Sequence, residues 1–259
     1  MNVLVFDIET IPDTQTGKRL YNLEGLSDRE IGEVMFSKRR QETGGSSDFI
    51  RHHLHRVIAI SVVLSTSESI SVWSLGDVAS PEQEIVQRFF EGIEKYTPVL
   101  VSWNGRGFDL PVLHYRALLH GIQAPRYWES GEDDTSFRWN NYLSRYHQRH
   151  TDLMDVLAGY EFRSVAPLTE IATMLGFPGK MGMDGSQVWD AWLDNGTEAI
   201  RNYCETDVLN TYLVYLKYQY MRGILSQPAI DREFERLRVM LKKAGRAHLN
   251  EFLAAWEQA

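Results

Sequence analysis

The sequence predicts an α/β protein: a mixed five-stranded sheet flanked by helices, followed by a helical C-terminal extension. Three observations carry that expectation. Short β-branched and aromatic runs fall at 2–8, 56–65, 69–75, 98–103 and 150–154. Apolar residues at helical spacing lie between several of these runs and dominate the rest of the chain. The 259 residues, 43% hydrophobic and 24% charged, suffice for one substantial core.

NVLVFDI (2–8) reads as a buried strand opening the sheet, with Asp7 and Glu9 at its end. Residues 14–55 read as an insertion, helical near SDREIGEVMFSKRR, with a mobile ETGGSSD loop. RVIAISVVLS (56–65) and SISVWSL (69–75), separated by a short polar turn, predict a hairpin that joins the first strand in an antiparallel half-sheet. Pro81 opens PEQEIVQRFFEGIEKY, whose early acids and apolar spacing predict an amphipathic crossover helix. PVLVSW (98–103) predicts a fourth strand, which leads through NGRG into a helix from near Asp109 to about His120, ahead of Gly121. HTDLM (150–154) predicts a short fifth strand. Helices are expected near 167–175, 186–193, 197–221 and 228–257, the last broken at Gly245. The expected organisation is one body, 1–222, with an extension, 223–259, packed on it.

The net charge of −8 argues against a broad basic surface for nucleic acid, because phosphate neutralisation dominates such binding. It leaves room for a local basic groove beside metal-binding carboxylates. The single cysteine, Cys204, excludes an intramolecular disulfide and a cysteine zinc cluster. No eighteen-residue apolar run occurs, and MNVLVFDIET lacks the features of a signal peptide. A cytoplasmic protein without a membrane partner is expected.

Strand alternation puts Asp7 and Glu9 of FDIET on one face. In YCETD, Tyr203 and Asp207 are one helical turn apart. In WNGRGFDLPVL, Asp109 follows a turn that Asn104 and Gly105 allow to reverse tightly. Taken singly, these are a solvated strand end, an amphipathic helix and a helix cap. Their joint occurrence, each in the required element, points to a site.

FDIET, NGRGFD and YCETD resemble the three exonuclease motifs of the DEDDy branch of the DnaQ-like superfamily. From about residue 2 to about 222, the chain resembles stand-alone bacterial 3′-5′ exonucleases similar to the proofreading domains of family B DNA polymerases. HLHRVIAIS, FRWNNYLSRYHQRHTDLMDVL and LGFPGKMGMDGSQVWDAW share in that likeness. The resemblance implies a ribonuclease-H-like fold. It also implies a two-metal 3′-5′ exonuclease that acts on DNA 3′ ends, preferably single-stranded, and releases nucleoside 5′-monophosphates. Asp7, Glu9, Asp109 and Asp207 would hold two divalent ions, Mg2+ or Mn2+, as suits an all-oxygen site. Asp7 would bridge them, Glu9 and Asp207 would complete the ion on the nucleophile side, and Asp109 would hold the other. Tyr203 would orient the attacking water. Thr10, Ile11 and Phe108 would contact the terminal nucleotide. Asn104 either joins them or shapes its turn, and Asp152 either sits behind the metals or caps LMDVL.

Arg138, Arg145 and Arg149, interleaved with Trp139, Tyr142 and Tyr146, form the best nucleic-acid patch in the sequence; the alternative is an amphipathic helix packing its aromatics inward. Lys38, Arg39, Arg40, Arg51, His52, His53, His55 and Arg56 bracket the glycine-serine loop, and Lys180 lies in a glycine-rich connector. Two other functions compete. A haloacid-dehalogenase-like phosphatase also carries paired acids after its first strand, and a ribonuclease-H-like domain can bind nucleic acid without cutting it. The choice among single-stranded DNA, frayed ends and RNA stays open, as does a polymerase or repair partner in trans.

Overall fold

The computed structural model describes residues 2–258; Met1 and Ala259, the outer ends of the two expected segments, lie outside them. The strands are β1 (Val3–Pro12), β2 (His55–Ser65), β3 (Ile70–Ser74), β4 (Val99–Ser102) and β5 (His150–Asp152). They form one sheet in the order β3-β2-β1-β4-β5. β2 runs antiparallel to β1 and β3, whereas β4 is parallel to both β1 and β5. This is the mixed five-stranded sheet of the ribonuclease-H-like fold.

β1 is longer than its apolar run. Pairing with β2 carries it to Pro12, opposite His55, through a bulge between Glu9 and Thr10. Along β1, the pairing with β4 covers Val3–Val5 alone. Asp7 and Glu9 therefore sit within the strand, on a stretch that projects beyond the last β1–β4 pair, rather than at its end. That overhang leaves room beside them for side chains from other elements.

Alternation along β1 sorts its side chains between two layers. Leu4, Phe6 and Ile8 pack with Phe89 of α3 (Glu82–Tyr96) and with Val112 and Leu113 of α4 (Asp109–His120). On the opposite face Val5 packs with Val208, Leu209 and Leu213 of α9 (Thr197–Met221). Leu237 and Leu241 of α10 (Gln227–Ala244) and Phe252 of α11 (Ala247–Gln258) join that same core. The break between these last two helices falls at Gly245, whose φ of 64° places it in the left-handed region.

Between β1 and β2 lie two helices, α1 (Thr14–Tyr21) and α2 (Asp28–Glu42), where the sequence suggested one. The polar α1 is stabilised by tertiary contact. Asp13 caps it through Thr16 N at 3.0 Å, and a Cβ at Gly17 would collide with Met35 Sδ. Ile31, Met35, Ile50 and Leu54 form a small core of their own. The loop after α2 is closed by Thr43 Oγ1, which donates to Ser47 O at 2.6 Å. Arg116 of α4 joins this region to the main body from a buried position, donating to Asp13 Oδ2 at 2.6 Å and Glu82 Oε1 at 2.7 Å.

After α4 come α5 (Pro125–Trp128), α6 (Leu153–Leu157), α7 (Leu168–Met174) and α8 (Val188–Leu193). The segment 138–149 is turns and bends, with no amphipathic helix. Among the described residues, no helix is long and apolar enough to cross a membrane.

Candidate active site

The overhang of β1 puts Asp7 and Glu9 on the sheet face that α9 covers. Glu9 is buried, while Asp7 retains partial exposure. α9 brings Tyr203 and Asp207 to this face, both half-buried. Asp109, the first residue of α4, comes from the other side and is buried. Three segments remote in sequence thus bring four carboxylates and a phenol together beyond the end of β4.

Asp152 secures the turn that presents Asp109. Its buried carboxylate accepts the amides of Asn104 and Arg106, each at 2.9 Å, and caps α6 through Asp155 N at 3.4 Å. Of the two roles considered for it from the sequence, the cap is the one observed; its charge also raises the pKa of Asp109. Asn104 has a φ of 60°, so it shapes the reversal.

Electrostatics identify the site further. Asp7 is held well above the ordinary carboxylate range, first by burial and then by the charges of Asp109 and Asp207. Glu9 is raised likewise, by burial and then by Asp7, Asp207 and Asp109. Burial lifts Asp109 to about 7 and Asp207 to about 6, the latter against a hydrogen bond from Tyr203. Among the described residues, no cation is among the groups acting on any of the four. An acidic cluster that these residues leave uncompensated suits a ligand of high positive charge. Tyr203 is pushed far up by burial and by Asp207, so its hydroxyl stays protonated.

One neighbour was missed from sequence. Cys204 is fully buried, with Sγ 3.5 Å from Asp7 Oδ2, and Asp7, Glu9 and Cys204 each offer a potential ligand atom within 4.8 Å of the others. A lone cysteine inside a helical motif carries no pattern that would have indicated this. Burial and the charge of Asp7 raise the thiol's pKa, which keeps it protonated beside an oxygen cluster.

The expected substrate contacts divide sharply. Tyr142 is fully buried, donates its hydroxyl to Pro98 O at 2.7 Å and stacks on Tyr127 with centroids 5.6 Å apart. It belongs to the core and cannot receive a base. Ile11 is also buried, packed near Val188, Ile200 and Cys204, so its side chain is unavailable to a sugar or base. Arg149 lies 3.8 Å above the Phe137 ring and donates to Asn140 O at 2.6 Å, and Arg145 is paired with Asp155 at 2.7 Å. Both arginines brace the 138–149 segment, so the proposed patch keeps Arg138, Trp139 and Tyr146 as its exposed and uncommitted cation and rings, Tyr146 lying edge-on to Tyr160. Of the second cluster, Arg39 and Arg51 pair with Glu42 and Arg40 with Asp48; Lys180 pairs with Asp184. Thr10 and Phe108 remain partly exposed beside Glu9 and Asp109 in sequence.

A family model described as "Predicted 3'-5' exonuclease related to the exonuclease domain of PolB" matches residues 47–256. The matched span contains Asp109, Tyr203 and Asp207 and begins after the strand carrying Asp7 and Glu9. A DNA polymerase of Archaeoglobus fulgidus is 26% identical over 161 residues, covering 61% of this chain and 19% of the polymerase. Among solved structures, the family B DNA polymerase from the hyperthermophilic archaeon Pyrobaculum calidifontis aligns over 98% of this chain and 27% of its own, with a TM-score of 0.48 and 16% identity. The chain therefore spans only a minor part of the length of either polymerase.

Proposed function

The chain belongs to the predicted 3′-5′ exonucleases related to the exonuclease domain of PolB, and from that premise we propose that it is a divalent-metal-dependent nuclease removing nucleoside 5′-monophosphates from single-stranded DNA 3′ ends. The observation that carries this reading is the convergence of Asp7, Glu9, Asp109 and Asp207 without a compensating cation among the described residues, each with a raised pKa. Residues 1–222 would form the catalytic body and 223–259 an extension that supports it.

Two divalent ions, Mg2+ or Mn2+, held by these four carboxylates would supply Lewis-acid activation of water and neutralise charge on the phosphodiester. Asp7 would serve both ions, as the resemblance of its motif implies; the charges of Asp109 and Asp207 act on Asp7 and Glu9 alike. Glu9 and Asp207 would serve the side facing α9, and Asp109 the side facing α4. The Tyr203 hydroxyl, protonated and in contact with Asp207, would hold the attacking water by hydrogen bonding, whereas its high pKa makes it a poor general base. A phosphatase reading leaves Asp109, Asp207 and Tyr203 without roles at the site where they converge.

The test is incubation of purified protein with 3′-labelled and 5′-labelled single-stranded DNA and RNA, with Mg2+, Mn2+ or chelator. The expected result is early mononucleotide release from 3′ label, a shrinking ladder from 5′ label, and no activity in chelator or in Asp7→Ala. Early release of 5′ label as mononucleotide, or full activity in chelator, would overturn the proposal.

A further inference from the structure

The helical insertion between β1 and β2 closes with a segment, residues 49–55, that is fastened to both acidic motifs. His55 is buried against Thr10, the residue after Glu9. Its Nε2 faces Ile50 O at 3.2 Å, so that nitrogen carries the proton, and Nδ1 accepts the Thr10 hydroxyl at 2.8 Å. On the other side, His52 Nε2 donates to Gly107 O at 2.9 Å, two residues before Asp109. Phe49 opens this segment, and its carbonyl accepts Arg39 Nε of α2 at 2.9 Å. The Phe49 ring centroid is 5.4 Å from Phe108 and 5.2 Å from His55. Yet Phe49 is 54% exposed.

An aromatic ring held at its backbone, flanked by rings and left half in water is not required by the small insertion core, which Ile31, Met35, Ile50 and Leu54 already form. It extends the edge of Phe108, the residue next to a proposed metal ligand. Aromatic faces beside a phosphodiester site suit unpaired bases, which stack without regard to sequence. An aliphatic surface patch would have no such preference, and a duplex end would have to fray before a base reached the ring.

We infer that Phe49, extended from Phe108 and fastened by His52 and His55, is a substrate-positioning residue on which a base of the single strand entering the carboxylate site stacks. The inference rests on the nuclease reading. It gives the insertion a defined role, as a wall that captures an unpaired base while the carboxylates act on the backbone. The contact is made already with the bound strand, so it appears chiefly in KM and leaves kcat nearly unchanged.

The test compares wild type, Phe49→Ala and Phe49→Tyr on a single-stranded thymidine oligonucleotide and on the same oligomer with abasic residues at its 3′ end. Phe49→Ala should raise KM about tenfold, the effect of losing one base–aromatic stack, with kcat within about twofold. Phe49→Tyr should restore KM. Abasic residues should raise the wild-type KM and leave that of Phe49→Ala unchanged. Equal KM for Phe49→Ala and wild type, or an equal abasic penalty in both, overturns the inference while leaving the nuclease reading intact. A wild type that degrades neither oligomer overturns both. Circular dichroism and thermal melts establish that each variant is folded.

Discussion

Replacing Asp109 by Asn is expected to stabilise the metal-free protein at alkaline pH while abolishing its activity. The structure sets the scale. Asp109 is buried at the start of α4, near Asp152 and the other carboxylates, and its pKa is raised from 3.8 to about 7, chiefly by burial. Three units at roughly 1.4 kcal/mol each cap the penalty for its ionised form at about 4 kcal/mol. For an acid whose folded pKa is raised, the folded state holds the proton more tightly. The resulting stability is full below the unfolded pKa near 4 and is lost as pH rises through about 7. Asn keeps an oxygen that can accept the amide of Ile8 but carries no charge. In chelator at pH 8 the variant should therefore exceed wild type by about 2–4 kcal/mol, or roughly 5–15 °C in melting temperature. The gap should close toward pH 4. Comparing variant with wild type cancels the opposing slope from carboxylates with lowered pKa values, such as Asp13 and Glu205. Differential scanning calorimetry across pH 4–8 reads the gap. A variant no more stable than wild type at pH 8, or a gap that persists at low pH, refutes the reasoning.

Two further substitutions test other parts of the structure. Tyr203→Phe should reduce turnover by about ten- to a thousandfold while Mn2+ affinity holds, because it removes one positioned hydroxyl, whereas Asp207→Asn should weaken both; calorimetric titration of Mn2+ against both variants separates the roles, and equal loss of affinity would make Tyr203 architectural. Arg116→Met should cost about 3–5 kcal/mol in a urea melt, because it removes the guanidinium that the buried Asp13 and Glu82 share and leaves Glu82 only His120 as a basic partner, and a loss under about 1 kcal/mol would show that these carboxylates are compensated some other way.

The sequence made legible what depends on local period and punctuation. Alternation placed Asp7 and Glu9 on one face, the NGRG turn placed the start of α4 at Asp109, and Gly245 marked the break between α10 and α11. The length of β1 was hidden because a distant partner, β2, carries it past Ile8 to Pro12. α1 was hidden because its polar sequence depends on the close approach of Gly17 to Met35. The segment 138–149 misled because aromatic and basic residues suit a stacking surface and a braced loop equally well. Only the fold distinguishes Tyr142, buried against Tyr127, from the exposed Trp139. The closeness of Cys204 to Asp7 likewise arises from α9 crossing the sheet, which no local pattern encodes.

The position of α9 is also where fold and chemistry meet. Tyr203 and Asp207 lie on one side of the helix, and Glu205, two residues from each, lies on the opposite side. Its carboxylate accepts Ser74 Oγ at 2.9 Å and pairs with Arg246 at 2.7 Å and His248 at 2.8 Å. Burial raises Glu205, but the His248 hydrogen bond and the Arg246 charge together bring its pKa below the usual value. Arg201, one turn earlier, donates to the carbonyls of Ser74, Leu75 and Gly76. These bonds fix the rotation of α9 about its axis as well as its distance from the sheet. Apolar packing alone would tolerate a small rotation, yet positioned groups lose about a hundredfold in rate when displaced by roughly 1 Å. The partners of Glu205 come from β3 and from the region where α10 gives way to α11. The C-terminal helices thereby set the rotation of the helix that carries Tyr203, although they contribute none of the proposed metal ligands.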